Sequence, residues 1–266
     1  MTDAARNDVW AQGAGYERYV GRWSRLVAAE FLKWLAIPPG CAWLDVGCGT
    51  GALSQRILES AAPTKVVGVD SSEAFISHMT AHLTDRRAAF RVGDARALPV
   101  GDAEFDVAVS GLVLNFIPDQ AKAVAEMRRA TQPDGTVAVY VWDYTGEMQL
   151  MRRFWDAAIT LNPAARDLDE GVRFPVCQPD PLRSLFAAAG LRDIATQSID
   201  VRTAFENFDD YWSPFLSGQG PAPGYCMKLT KANRNALRDH LRSSLPTERD
   251  GKIRLMARAW AVQGVV

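Results

Sequence analysis

Between residues 42 and 142, short runs of apolar and β-branched residues alternate with stretches of helical period, and that alternation leaves few architectures open. AWLDVG, KVVGVD, AAFRVG, FDVAVS and TVAVYVW read as strands. GALSQRILESA is an amphipathic helix with Leu53, Ile57 and Leu58 on one side. SSEAFISHMTAHL opens on serines with Glu73 close behind, the polar start that caps exposed amides. Asp119 to Thr131 is the helix before the last of these strands, and PDG at 133–135 is expected to be a turn. Strands buried on both faces read as continuous apolar runs, and alternation with helices calls for a parallel sheet with right-handed crossovers. The expected fold is α/β and doubly wound.

Beyond Trp142 the alternation weakens. EMQLMRRFWDAAITL reads as a helix, NPAARDLDEGVRFPVCQPDP as loop-rich, and DPLRSLFAAAG as a helix stopped by Gly190. IATQSIDVRTAF is a strand, residues 206–249 mix helix and loop around GQGPAPG, and GKIRLMARAWAVQGVV is a final strand. No repeat or low-complexity linker interrupts the 266 residues, so one domain with insertions is expected.

Composition narrows the partners. The chain is 48% apolar and 23% charged, a globular profile with enough length for a sizeable core. Its 30 basic and 31 acidic residues leave a formal charge of −1, which gives no general pull toward nucleic acid or an anionic membrane. The opening MTDAARNDVWAQGAGYERYVGR lacks the apolar core of a signal peptide. No run approaches the ~18 apolar residues of a membrane span. A cytoplasmic protein without nucleic-acid partner or membrane span is expected; the oligomeric state stays open. Cys41, Cys48, Cys177 and Cys226 form no C-x-x-C pair and sit near no histidine cluster. A Cys41–Cys48 bridge would have to close a strand of roughly 23 Å, against about 7 Å tolerated between disulfide α-carbons. Reduced thiols and no metal site follow.

The stretch WLDVGCGTGALS, residues 43–54, sets three glycines behind an aspartate at the end of the first strand. Such a turn presents backbone amides at a helix amino terminus, at the carboxyl edge of the sheet where ligands of open α/β folds bind. A dinucleotide would want G-x-G-x-x-G, whereas the glycines here run G-x-G-x-G with Asp45 just before them. No Gly-Lys-Ser/Thr of a phosphate loop is present. An acid in that place suits an ammonium group better than a pyrophosphate.

LDVGCGTG resembles motif I of the class I S-adenosylmethionine-dependent methyltransferases, most of all the small-molecule branch that includes ubiquinone- and menaquinone-methylating enzymes. VVGVDSS resembles that family's second strand, RVGDARALPVGDAEFDVAVSGLVLNFIPD its adenine-binding turn and fourth strand, and RRATQPDGTVAVYVWD its fifth. The likeness is strong over residues 41–145 and weaker over 179–203 and 252–266. It implies a Rossmann-like sheet of seven strands, mostly parallel with the last antiparallel, carrying helical lid insertions. Within one domain over 1–266, residues 1–40 would be an N-terminal helical flap and 41–145 the cofactor-binding core. Residues 146–178 and 204–250 would be the lids, with 179–203 and 251–266 the remaining sheet and helix elements.

The resemblance implies S-adenosyl-L-methionine as cofactor and S-adenosyl-L-homocysteine as product. Gly47 and Gly49 would let the methionine and ribose portion approach where a Cβ would collide. Asp70 would accept two ribose hydroxyls. Asp94 would accept from the adenine amine and the Ala95 amide would donate to a ring nitrogen, with Ser71 and Leu98 beside the base. Ser110, at the fourth strand's tip, joins this set. Asp45 would orient the ammonium, or else is a buried carboxylate bonded to loop amides. Upstream, Tyr16, Tyr19 and Trp23 recur at near-helical spacing, and relatives use such a segment as a flap. Tyr16, Tyr19 and Arg22 would then face the methionine carboxylate, for which the Arg22 fork is the natural partner; alternatively the aromatics pack a helix on the sheet.

Methyl transfer from a sulfonium needs mainly alignment and a dry cavity, and a base only if the acceptor arrives protonated. SGLVLN after the fourth strand is not the Pro-Pro-aromatic motif of amino-methylating DNA enzymes, and Cys48 reads as packing. Asn115, Asp143, Tyr144 and His240 are the candidate acceptor-side residues; His78 and His82 read as solvated helix positions, and helix-surface placement is the default for His240 too. Phe154, Trp155, Phe174, Phe208, Tyr211, Trp212, Phe215 and Tyr225 either line a pocket for a planar or lipophilic small acceptor or form the core of a helical cap. A nicotinamide-dependent oxidoreductase and a non-catalytic scaffold that keeps the cofactor pocket are the alternative readings.

Overall fold

A computed structural model describes residues 21–218 and 220–266. Its elements follow in order: α1 (Arg22–Leu35), β1 (Ala42–Val46), α2 (Ala52–Ser60), β2 (Lys65–Asp70), α3 (Glu73–His82), β3 (Ala88–Val92) and β4 (Phe105–Gly111). After a 3-10 turn at Leu114–Phe116 come α4 (Gln120–Ala130), β5 (Thr131–Trp142), α5 (Gln149–Leu161), α6 (Glu170–Arg173) and α7 (Pro179–Ala188). The chain closes with β6 (Arg192–Phe205), α8 (Phe208–Trp212), α9 (Pro221–Lys228), α10 (Lys231–Ser244) and β7 (Ile253–Val265).

The strands form one seven-stranded sheet in the order β3-β2-β1-β4-β5-β7-β6. β1 pairs parallel with β2 and β4, β2 with β3 and β4 with β5, while β7 runs antiparallel to β5. The fold expectation holds in class, strand number and the direction of the last strand. Because the chain winds outward from β1 to β3 and then restarts at β4, right-handed crossovers reverse direction between β1 and β4. That switch point is where the glycine turn lies. One register detail departs from expectation. PDG at 133–135 is not a free turn but an outward bulge inside β5: Phe105 pairs with Thr131 and Val107 already with Thr136. Asp134 takes φ +62° there, and the carboxyl-terminal Val266 carbonyl accepts its N–H at 3.3 Å.

The residues fall into two compact units. The Rossmann-like unit comprises Trp23–Asp143, Pro175–Asp200 and Arg258–Val266. Its core is the apolar interior of the parallel strands, with Leu44, Val66, Ala108 and Val139 fully buried. On one sheet face Phe31 of α1 lies 4.6 Å from the Tyr140 ring. The aromatic unit comprises Gly21 and Arg22 with the described residues of Tyr144–Phe174 and Val201–Ala257. Four of the insertion aromatics pack on one another or on Phe205 here: Phe154 stacks on Phe215 at 4.4 Å and meets Trp155 edge-on at 5.4 Å, while Phe205 packs Tyr211 at 5.2 Å. Phe154, Trp155, Phe205, Tyr211 and Phe215 are all buried, so they are this unit's own core. Among the described residues, no helix is long and apolar enough to cross a membrane, and no three metal-ligating side chains gather.

Candidate functional site

β1 delivers Asp45 to the sheet's carboxyl edge at 1% exposure. The turn that follows is held by backbone bonds: the Gly47 and Cys48 N–H groups donate to the Val69 carbonyl at 2.7 and 3.1 Å. Gly47, Gly49 and Gly51 all have positive φ (+74°, +51° and +83°), a region that L side chains pay to enter. The reasons for each glycine differ from the simple expectation that a ligand excludes their side chains. A Cβ on Gly47 would lie 2.5 Å from Val113 Cγ1, so the protein itself, in the segment after β4, demands the glycine. Only Gly49 faces open space, with nothing within 4 Å of its missing Cβ. Of the two, Gly49 alone leaves bare backbone facing outward.

Asp70 at the tip of β2 ties this turn to the next helix. Its Oδ2 accepts the Gly49 N–H and its Oδ1 the Ser72 N–H, each at 2.9 Å. Burial raises its carboxyl above the ordinary range, partly offset by those two N–H groups. A carboxylate oxygen has two lone pairs, so after one backbone bond each oxygen can accept one more hydrogen. Two acceptors side by side on a fixed carboxylate match a vicinal diol. Ser71, between Asp70 and the α3 cap Ser72, is exposed.

Asp45 is held from α2, by both the side chain and the backbone N–H of Ser54. Its Oδ2 accepts the Ser54 hydroxyl at 2.6 Å, from α2, while Oδ1 is buried without a partner. Burial pushes its carboxyl up to about 7, with the Ser54 bond pulling the other way and Asp70 adding to the rise. Ser110 and Asn115 repeat the pattern across the switch point. Ser110 Oγ at the end of β4, and both amide atoms of Asn115 in the 3-10 turn beyond it, are buried without partners among the described residues. Asp45 pairs in register with Val109, one residue before Ser110, so these groups collect at the tips of two adjacent strands. Buried polar atoms are normally satisfied, and leaving one unpaired costs about 1–3 kcal/mol. Four such atoms beside an open glycine fit a polar ligand that completes them.

The loop after β3 places the other predicted residues less simply. Asp94 is exposed and both its oxygens hold Arg96, at 3.0 and 2.6 Å, which keeps its carboxyl down at about 2. An incoming amine would share that carboxylate with the guanidinium. Ala95 is half-buried and Leu98 buried, its N–H donated to Glu126 at 2.8 Å. Arg22 is likewise committed: its guanidinium pairs with Asp210 at 3.2 Å and lies 4.8 Å over the Phe205 ring, within the aromatic unit. Tyr16 and Tyr19 lie outside the described residues.

The acceptor-side candidates are divided between the two units. Asp143 is buried and accepts from Gln178 at 3.2 Å, within the Rossmann-like unit. Tyr144 is the first residue of the aromatic unit's second segment and packs 5.8 Å from Phe174. His240 is half-buried on α10. His78 and His82 are exposed on α3. Sequence reading missed Glu170, a carboxylic acid at 1% exposure in the aromatic unit. The Trp155 indole N–H donates to its Oε2, its Oε1 has no partner, and burial pushes its carboxyl up to about 8. A lone acid in a loop-rich segment carries no spacing signal; only three-dimensional burial marks it.

The family profile for a methyltransferase domain matches residues 44–139, which run from β1 through most of β5. A 2-methyl-6-phytyl-1,4-hydroquinone methyltransferase of Synechocystis is 36% identical over 189 residues, 69% of this chain and 57% of that protein. A demethylmenaquinone methyltransferase of Roseiflexus castenholzii is 37% identical over 105 residues, 39% of this chain and 44% of that protein. The chain spans about half the length of these curated relatives. Among solved structures, a phosphoethanolamine N-methyltransferase 2 of Haemonchus contortus, in complex with phosphomonomethylethanolamine and S-adenosylhomocysteine, shares the fold. The TM-score is 0.59 at 17% identity, over 95% of this chain and 56% of that one. Over residues 44–139, this chain is similar to the methyltransferase domain family.

Proposed function

We propose that the chain is an S-adenosylmethionine-dependent methyltransferase acting on a small organic acceptor, with S-adenosylhomocysteine as the product. The observation that carries this reading is Asp70: a carboxylate fixed by two backbone N–H groups, each oxygen with acceptor capacity left, beside the one glycine of the turn that faces open space. In this reading Asp70 takes the ribose diol, Gly49 leaves the bare floor in the turn that Gly47 shapes beside it, and Asp45 Oδ1 receives the ammonium directly or through water. Ser110 adds a hydroxyl to the same edge. Asp94, steadied by Arg96, meets the adenine amine; Ala95, Ser71 and Leu98 border the base. The sulfonium supplies an already activated methyl group, so the protein's task is alignment and exclusion of water. Asn115 is the residue we assign to orienting the acceptor, since an amide can donate and accept but cannot serve as a base at neutral pH.

A planar, lipophilic acceptor is supported by the hydroquinone and menaquinone chemistry in the relatives' names. The free cysteines support a reducing, cytoplasmic setting. A nicotinamide dinucleotide is disfavoured by Asp45, whose unpartnered oxygen would stand near a pyrophosphate. The test is isothermal titration of the intact protein with S-adenosylhomocysteine and with NADH. Saturable one-to-one binding of the first and none of the second is expected; the reverse result overturns the reading.

A further inference from the structure

Two of the three histidines in the chain stand one helical turn apart on α3, at His78 and His82, and the methyl-transfer reading leaves both unused. Both side chains are exposed, and their rings stack with centroids 4.2 Å apart at 24°. His82 Nδ1 lies 2.8 Å from the His78 carbonyl oxygen. A carbonyl oxygen only accepts, so Nδ1 of His82 carries the proton and, in the neutral ring, Nε2 carries the lone pair. Metal-ligating histidines are commonly prepared in this way, with the second ring nitrogen donating to a backbone carbonyl that fixes tautomer and ring plane. The inner side of α3 is anchored as well: Ile76 and Met79 are buried, and the Met79 thioether fills the space beside Gly51. The backbone that carries the two rings is therefore held from below while the rings share the outer face.

We propose that His78 and His82 form a two-histidine surface site for a divalent first-row transition ion. Histidines four apart on one helix face can bind one metal ion together. Among the described residues no third His, Cys, Asp or Glu completes a cluster, and Asp85 just beyond the helix is held by Arg87 at 2.7 Å. The protein thus supplies two imidazole nitrogens and water fills the remaining positions, so Cu²⁺ binds more tightly than Ni²⁺, and Ni²⁺ more tightly than Mn²⁺.

Titration of the intact protein with NiCl₂ in a non-chelating buffer tests the site, with the thermal midpoint read in parallel. Saturable binding with one ion per chain and a rise in midpoint are expected. His78→Ala and His82→Ala should each weaken Ni²⁺ binding at least tenfold and remove the metal-dependent rise. Both positions are exposed, so the metal-free midpoints should match the parent and report intact folding. Absence of saturable Ni²⁺ binding, or equal affinity in the doubly substituted protein, overturns the proposal.

Discussion

At the tips of β1 and β4 the Rossmann-like unit buries polar atoms and leaves them without partners, whereas the aromatic unit mostly spends its buried polar groups on itself. Asp45 Oδ1, Ser110 Oγ and both amide atoms of Asn115 belong to the first case. In the second, the Tyr211 hydroxyl donates to the Leu150 carbonyl at 3.1 Å, and Asp169 holds Arg152 at 2.7 Å while accepting the Gly171 N–H at 2.9 Å. Among the described residues, Glu170 and Thr203 are exceptions in the aromatic unit, each with one unpartnered oxygen. The contrast separates two uses of burial. Around rigid aromatic packing, a polar group acts as an internal staple. At a sheet's switch point beside an outward-facing glycine, the same kind of group waits for an external partner.

The largest effect that would test this division is on the aromatic core. Phe154→Ala removes a fully buried ring from between Phe215 and Trp155, and should cost about 3–5 kcal/mol in urea unfolding. A loss under about 1 kcal/mol would mean that this cluster is not a packed core. Next comes pH. The folded-state carboxyls of Asp45 and Glu170 sit at about 7 and about 8, above their unfolded values, because burial penalises the charged form. Each therefore contributes stability that is full below about pH 4 and lost as pH rises through its folded value, by up to roughly 4 kcal/mol. Unfolding measured at pH 5 and pH 9 should show that fall. Asp45→Asn and Glu170→Gln should each flatten part of it, and Glu170→Gln keeps an acceptor for the Trp155 indole. Saturating S-adenosylhomocysteine sharpens the comparison, since an ammonium opposite Asp45 should offset the Asp45 part alone.

Asp70→Ala should weaken S-adenosylhomocysteine binding about 100-fold, because two hydrogen bonds to a charged group are lost at once. Unchanged affinity in titration would remove the diol assignment. The smallest effect separates neighbouring glycines. Gly49→Ala meets no atom within 4 Å and should cost only about 1 kcal/mol of stability for its positive φ, yet weaken cofactor binding more than tenfold. Gly47→Ala, which would strike Val113, should lose more stability than Gly49→Ala in the same unfolding assay.

The alternating pattern from Ala42 to Trp142 made the sheet, its parallel strands and the position of the glycine turn readable, because strand and helix periods leave distinct traces in sequence. Asp45 and Asp70 could be singled out for the same reason: each stands at the end of an apolar strand. What each acid touches could not be read. The Ser54 bond to Asp45 depends on how α2 settles, and the Arg96 grip on Asp94 on a side-chain rotamer. Arg22 was legible as a fork able to bind a carboxylate, and it does bind one, but the carboxylate belongs to Asp210, 188 residues away in sequence. PDG reads as a turn because its composition is that of one; its place within β5 follows from pairing with β4 on one side and β7 on the other.

That bulge in β5 isolates the working end of the sheet from changes in chain length. Three residues more on β5 than on β4 are taken up between Thr131 and Thr136, before the ladder resumes at Val107. A residue deleted there shortens slack, and the phase of Val137 through Trp142 survives. The same deletion four residues later would turn every following side chain to the opposite side of the sheet.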